Sequence, residues 1–275
     1  ATAAQSMDRP VASPRRERRG NSIGWLRPVL TVRTLENKVV SAGEAARVAR
    51  AAGARYARRM CGRISLGSSS VADVAAFFGA RVEPEHVPLY RPRYNVAPTQ
   101  RHWIVQRELG ERRLVPATWG FPSTTGRLLV NGRIESARSR PAFREAFARR
   151  RCIVPADGFY EWTGPARDRR PLRFTPAGGG LLALAGVYEP PEEEGRHPRF
   201  VVLSTAANED VARIHDRMPV VLSPDEIDPW LAGELTPGPI PAGTLVAAPV
   251  SRRVNSVEND DPSLLQPEPD QLRLL

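Results

Sequence analysis

The chain has 275 residues, of which 41% are hydrophobic, and a formal net charge of +10. This length allows one large domain or two small ones, and the hydrophobic fraction allows a sizeable core. No run of 18 apolar residues predicts a transmembrane helix, no signal-peptide pattern opens the chain, and two cysteines make no disulfide framework. We therefore expect a protein of the reducing cytoplasm that does not contact membranes.

The first segment, residues 1–59, differs in composition from the rest of the chain. It carries a net charge of +9 and is dominated by alanine, arginine, proline and glycine. Such a segment has few apolar side chains to bury, so we predict a mostly disordered basic extension. A basic arm that binds nucleic acid is the functional alternative.

The remaining residues predict a folded domain over 60–258 and an irregular tail over 259–275. A helix is predicted from Val71 to Phe78, capped by Ser70 and ended by Gly79. The other predicted helices are 136–149, interrupted early by Pro141, and the short segments 208–214 and 224–231. Four prolines within 84–99 predict a long ordered loop.

Many short strands separate these helices. They are predicted at residues 61–66, 103–106, 114–119, 152–155, 159–162, 181–188, 200–204 and 244–250. Many strands with few short helices indicate an α+β fold, a single domain with a curved, mostly antiparallel sheet and a barrel-like core.

The charge of this domain is uneven along the sequence. Residues 91–151 carry a net charge of +10, whereas residues 152–275 carry −8. A basic stretch of this kind is typical of a surface that binds a phosphate backbone, although a solvated arginine-rich surface explains it equally well. Lys38 is the only lysine, so residues 60–275 contain no lysine for a Schiff base or a Walker-A motif.

One cysteine stands directly after a methionine, in Met60-Cys61-Gly62-Arg63. If the mature chain begins at Cys61, that residue has a free α-amine and a thiol on adjacent carbons. Such an aminothiol condenses with an aldehyde to a Schiff base, and the thiolate then closes a thiazolidine ring. An internal cysteine cannot do this, because its nitrogen belongs to an amide.

Five motifs occur in order along the domain: residues 61–63 (Cys-Gly-Arg), 93–99 (Arg-Tyr-Asn-Val-Ala-Pro-Thr), 119–121 with 131–136 (Trp-Gly-Phe and Asn-Gly-Arg-Ile-Glu-Ser), 152–162 (Cys to Trp) and 214–219 (Ile-His-Asp-Arg-Met-Pro). Together they resemble the SOS-response-associated peptidase family, also called abasic-site processing proteins, over about residues 60–255. Each motif alone is weak, but the five in this order are highly specific.

The resemblance implies a protein that binds single-stranded DNA containing an abasic site and crosslinks to it through an N-terminal cysteine, which shields the lesion. It implies Cys61 as nucleophile, Glu161 and His215 as general acid/base groups, and Asn131 as a hydrogen-bonding group at the lesion. A bacterial member would act on the nucleoid. Weak lyase activity through the same Schiff base is also implied.

The same resemblance implies DNA contacts. Arg63 and Arg133 are expected to hold phosphates, Trp119 to stack on a base and Asn95 to shape the loop near the cysteine. The family's Asn-Ala-Arg segment is Asn-Gly-Arg here, and its later threonine is Ser136. For Trp119 a place in the core is an equal alternative. The second cysteine, Cys152, lies between apolar residues and is expected to be buried.

Two other functions stay open. A cysteine peptidase, including one that cleaves only itself, would use Cys61, His215 and Glu161 as nucleophile, base and orienting acid. A non-enzymatic DNA-binding module would not need Cys61. The 59 residues before Met60 are explained by a mis-assigned start, by self-cleavage or by an inactive long form, in that order. We expect a monomer with no cofactor, and no metal, since the histidines and cysteines lack ligand spacing.

Overall fold

The computed structural model describes residues 62–124, 126–165, 167–191, 193 and 196–266. The predicted extension over 1–59 and the reactive Cys61 lie outside these residues. The described part contains thirteen strands: β1 (Ile64–Leu66), β2 (Arg93–Val96), β3 (Arg101–Glu108), β4 (Glu111–Trp119), β5 (Asn131–Arg133), β6 (Arg151–Ala156), β7 (Gly158–Thr163), β8 (Arg170–Pro176), β9 (Leu182–Glu189), β10 (Arg199–Ala206), β11 (Arg217–Pro219), β12 (Val221–Leu222) and β13 (Leu245–Pro249).

The α-helices of the described part are short. They are α1 (Val71–Phe77), α2 (Ile134–Ala137), α3 (Pro141–Arg149), α4 (Glu209–Ala212) and α5 (Ile227–Ala232), and 3-10 turns occupy Pro84–Leu89, Pro224–Glu226, Arg252–Asn255 and Pro262–Leu265. Ser70 caps α1 as predicted, because its hydroxyl accepts a hydrogen bond from the Asp73 amide. Gly79 follows the helix with a φ of +57°.

The strands form two sheets. Five strands pair in the order β13-β8-β7-β1-β2. In the second sheet, β10, β4, β3, β6 and β9 pair in sequence, and β9 pairs back to β10, so these five strands close into a barrel. Strand β10 runs parallel to β4 and β5. All other strand pairings, including those of β10 with β9 and β11, are antiparallel. The predicted α+β fold with a curved, mostly antiparallel, barrel-like sheet is confirmed.

The core lies on both sides of the barrel wall. All six residues of β6 are buried, as expected for a strand covered on both faces. One face packs against the five-stranded sheet through Phe159 and Phe174, whose rings stack at 5.0 Å. The opposite face packs against helices α1, α3 and α5. Cys152 is fully buried in this wall, and burial raises the pKa of its thiol well above the usual value, so the predicted buried role is confirmed.

The structure differs from the predicted elements in three places. The predicted loop over 84–99 contains a 3-10 turn and strand β2, because Val96 and its neighbours pair with β1 between the prolines. The predicted helix over 136–149 is two helices, since Pro141 takes the first position of the second helix. The start of the predicted irregular tail is packed, with Leu264 buried. No helix in the described ranges is long and apolar enough to span a membrane.

A buried histidine in β3 makes the stability of the fold depend on pH. His102 is 2% exposed, and its Nε2 donates to the Pro155 carbonyl at 2.7 Å. Burial lowers the pKa of His102 to about 4. The unfolded chain binds this proton below about pH 6.5, so the free energy of unfolding should decrease by up to about 1.4 kcal/mol per pH unit from there to about pH 4.

This pH dependence can be measured by urea unfolding of the wild type and of His102→Gln, which keeps a donor toward Pro155. The variant should lose part of the slope of stability against pH below about pH 6.5. Equal slopes for the two proteins would show that His102 does not titrate as its burial requires.

Candidate functional site

The residues that follow Cys61 are positioned by the pairing of β1 with β7. Ile64 pairs with Phe159 and Ser65 with Gly158, and the Tyr160 amide donates to the Arg63 carbonyl at 3.1 Å. When this register is continued by one residue, Gly62 stands opposite Glu161. This register therefore brings the backbone of Glu161 beside the residue that follows Cys61.

Glu161 is buried. It is 3% exposed and lies in β7 between fully buried Tyr160 and half-buried Trp162, with Leu172 of β8 as its strand partner. The aromatic strand left two alternatives, a glutamate facing solvent or one withdrawn from water, and the structure has the second. A carboxyl group shielded from bulk water transfers protons to bound groups rather than to solvent.

A second group of predicted residues is held by β10. Parallel pairing with β5 places Asn131 beside Val202 and Arg133 beside Ser204. On its other edge, β10 pairs with β11, which begins at Arg217 directly after His215 and Asp216. One strand thus brings together residues that are more than 80 positions apart in sequence.

His215 is buried at the end of helix α4, with 3% exposed. Its Nδ1 accepts a hydrogen bond from the Arg217 amide at 2.9 Å and lies 3.0 Å from an Asp216 carboxylate oxygen. The same nitrogen cannot accept from one and donate to the other. The backbone amide is fixed by strand pairing while the Asp216 side chain is exposed, so we assign the neutral ring with its proton on Nε2.

The guanidinium of Arg217 forms a bidentate ion pair with the Glu135 carboxylate. Its Nη1 and Nη2 donate to the two carboxylate oxygens at 2.7 and 2.8 Å, and Nη2 also donates to the Ser204 carbonyl. This guanidinium lowers the pKa of the Glu135 carboxyl. The pair ties α2 to β11 and so holds the Asn131 and His215 segments in register. It was not predicted as a unit, because the two residues are 82 positions apart.

Arg63 is held by three groups. Its Nη1 donates to Asn95 Oδ1 at 2.5 Å and to the Val254 carbonyl at 2.7 Å, and its guanidinium lies 5.6 Å from the ring centroid of Trp162. These contacts fix the side chain beside the strand that leads to Cys61. Arg133 differs, because its side chain is exposed at the end of β5.

Asn95 is completely buried, so the prediction that it belongs to the DNA-contacting residues is wrong. Its Nδ2 donates to the carbonyls of Val254, Ser256 and Asn259. Its predicted part in shaping the loop remains, since it joins Arg63 to the segment 254–259. Asp260 completes the junction by accepting from the amides of residues 94 and 95 and pairing with the Arg93 side chain.

Trp119 is also in the core, so the prediction that it stacks on a base is wrong. It is 0% exposed, stacks on Phe200 at 5.9 Å, and its Nε1 donates to the Val130 carbonyl at 2.7 Å. A ring that is 0% exposed and whose only donor is engaged inside the protein has no surface for a base. Trp162, to which the sequence analysis assigned no role, is a half-buried aromatic side chain near this site, and its Nε1 donates to Asn255 Oδ1 at 2.7 Å.

Replacing Trp119 should therefore damage stability rather than DNA binding. Truncation of a core tryptophan costs about 3–5 kcal/mol, and we expect Trp119→Leu to lose most of that amount in urea unfolding. The affinity of the folded variant for a single-stranded oligonucleotide should be unchanged. A base-stacking residue would give the reverse, a loss of about 1–3 kcal/mol in binding with unfolding unaffected.

The described side chains thus form two groups. Arg63, Asn95 and Glu161 lie around β1 and β7 of the five-stranded sheet, and Asn131, Arg133 and His215 lie on the edges of β10. Within the described ranges, no group of three or more histidine, cysteine, aspartate or glutamate side chains is arranged to hold a metal ion.

Comparison with known proteins identifies the family to which this chain belongs. Residues 60–257 match the family model for SOS response associated peptidase (SRAP), which covers most of the chain. The protein belongs to this family, and the resemblance inferred from the five motifs is confirmed.

Curated relatives resemble the chain over most or all of their own length. It is 33% identical over 226 residues to the abasic site processing protein YoaM of Bacillus subtilis, with 76% of this chain and 99% of YoaM covered. The abasic site processing protein YedK of Escherichia coli is 31% identical, with 76% and 100% covered. The abasic site processing protein HMCES of Gallus gallus is 31% identical, with 76% and 78% covered.

Solved structures show the same fold. A crystal structure of a protein from Bacteroides thetaiotaomicron is 23% identical and superposes with a TM-score of 0.64, with 76% of this chain and 100% of that chain covered. A crystal structure of a protein from Bordetella bronchiseptica is 24% identical with a TM-score of 0.56, with 70% and 100% covered.

Proposed function

We propose that this protein processes abasic sites in single-stranded DNA by forming a covalent crosslink through Cys61. The observation that carries the proposal is the register of β1 on β7, which sets Gly62 opposite buried Glu161. Cys61 is bonded to Gly62, and this carboxyl group is therefore assigned to serve the amine and thiol of Cys61 in a chain that begins at that residue. The names of the curated relatives support the same substrate.

The chemistry follows from the aminothiol. The open-chain abasic sugar presents an aldehyde carbon, to which the Cys61 amine adds to give a carbinolamine. Loss of water gives the Schiff base, and the thiolate then adds to the imine carbon while the nitrogen takes up a proton. The product is a thiazolidine, and its mass is that of protein plus DNA minus one water.

Three residues serve the proton transfers and the sugar in this proposal. Glu161 takes a proton from the attacking amine and returns it to the departing water. His215, with a proton on Nε2, assists opening of the sugar to its aldehyde. Asn131 hydrogen-bonds at the lesion. Arg63 and Arg133 bind the flanking phosphates, one rigidly held and one exposed.

The alternative of a cysteine peptidase needs Glu161 to orient His215. His215 Nδ1 accepts from the Arg217 amide and lies beside Asp216, so in that alternative Nε2 is the ring nitrogen that would face Glu161 or the nucleophile. The Schiff base of the crosslinking route also allows β-elimination at the sugar, so we expect the protein to cleave the strand slowly at the abasic site.

The proposal is tested by mixing the protein with a single-stranded oligonucleotide that contains one abasic site. We expect an adduct that survives denaturing electrophoresis. An oligonucleotide with a tetrahydrofuran analogue, which has no aldehyde, is the matched control and should give none. Equal adduct with both oligonucleotides, or none with either, would contradict the proposed chemistry.

A further inference from the structure

A set of exposed arginines follows the predicted site directly in the chain. Arg138 ends helix α2, Arg140 precedes helix α3 and Arg144 lies in its first turns, and all three are exposed. We call these three residues the arginine surface. Since β5 ends at Arg133 and α2 begins at the next residue, this surface continues from the strand that holds Asn131.

The acids of this region are already paired elsewhere. Residues 133–150 contain two, and Glu135 forms the bidentate ion pair with Arg217 while Glu145 accepts from Arg150 at 2.9 Å. Among the described residues, no carboxylate forms an ion pair with the arginine surface. Within the described ranges, its three positive charges are therefore not neutralised by ion pairs.

The direction of the arginine surface is set by the core. Helix α3 buries Phe143, Ala146 and Phe147, so its opposite side faces outward. Arg140 caps the start of the helix, and the Arg144 amide donates to its carbonyl at 2.8 Å, so the two residues are neighbours on this surface. Arg140 also lies 5.3 Å from the centroid of the Phe143 ring, which limits its motion.

We infer that the arginine surface binds the phosphate backbone of the DNA strand beyond the nucleotides that contact the lesion site. Its ligand is a row of phosphodiesters, because closely spaced guanidinium groups without acids match closely spaced anions. It carries no donor set for a particular base, so binding here should not depend on sequence. The inference extends the proposed function, but requires only DNA binding and not the crosslink.

The test compares the triple variant Arg138→Gln, Arg140→Gln, Arg144→Gln with a control of equal charge, Arg81→Gln, Arg107→Gln, Arg196→Gln. The control arginines are also exposed but lie outside the arginine surface. Fluorescence anisotropy is measured over a range of salt with an undamaged strand of about 20 nucleotides and with one of about 5.

For the long strand, the slope of log affinity against log salt should fall by about 2 in the triple variant, because each lost phosphate contact removes about 0.7. The control should keep the wild-type slope, and the short strand should bind both variants alike. Equal slopes for triple variant and wild type, or equal losses in triple variant and control, would overturn the inference.

The crosslinking proposal is tested separately by measuring the yield of adduct with the same proteins. With saturating abasic DNA, the triple variant should give the wild-type yield of adduct, since its chemical groups are unchanged. If the wild type gives no adduct but the triple variant loses long-strand affinity, the arginine surface stands and the crosslinking chemistry fails. If the wild type forms the adduct but the triple variant keeps its affinity for the long strand, the DNA-binding role of the arginine surface is rejected and the crosslinking proposal is unaffected.

Discussion

Glu161→Gln should lower the rate of adduct formation with abasic DNA by about 10²–10⁴-fold, the usual contribution of a positioned general acid/base. Glutamine keeps the volume and the hydrogen-bonding capacity of the side chain but cannot take up or release a proton at neutral pH. Because Glu161 is 3% exposed, bulk water cannot readily replace it. The rate is measured from the increase of adduct on a denaturing gel at saturating DNA.

The control for this experiment is Glu111→Gln, which removes an exposed carboxylate paired with Arg81 at the surface. It should crosslink at the wild-type rate. The affinity of Glu161→Gln for undamaged single-stranded DNA should equal that of the wild type, since the side chain is assigned to proton transfer. Wild-type crosslinking by Glu161→Gln would remove Glu161 from the mechanism.

A chain with one alanine inserted between Met60 and Cys61 should form no stable adduct. After removal of the methionine, alanine carries the α-amine and Cys61 becomes internal, so the thiazolidine ring cannot close. A cysteine peptidase using the Cys61 thiol does not need that amine. Intact crosslinking by the extended chain would therefore exclude the thiazolidine.

Cys61→Ser separates the two steps of the same chemistry. It keeps the α-amine, so a Schiff base with the abasic aldehyde still forms and is trapped by borohydride. It lacks the thiolate that closes the stable ring, so untreated samples should show little adduct. A DNA-binding module without chemistry would give no adduct in the wild type, and its DNA affinity would not change in Cys61→Ser.

Features with a local signal could be predicted from the sequence. Ser70 and Gly79 mark the ends of α1 because capping depends on residues within one turn. Cys152 was expected to be buried because its apolar neighbours fill a strand covered on both faces. The barrel-like character followed from many short strands, although the closing pair, β9 with β10, cannot be read from any local pattern.

The predictions failed where contacts between distant segments decide a residue's role. Asn95 seemed available for DNA, but its amide is used by a segment some 160 residues later in the chain. Trp119 stands in a motif beside polar residues, yet its strand lies in the barrel wall against Phe200. Pro92 and Pro98 favoured the prediction of a loop, although the residues between these two prolines form strand β2 and pair with β1.

The most direct test of the crosslinking mechanism is the intact mass of the purified protein before and after reaction with an oligonucleotide that contains one abasic site. We predict that the reacting protein begins at Cys61, and that its mass increases by that of the oligonucleotide less one water. Cys61→Ala should show no such increase. An adduct on a chain that still carries residues 1–59, with Cys61 internal, would contradict the mechanism.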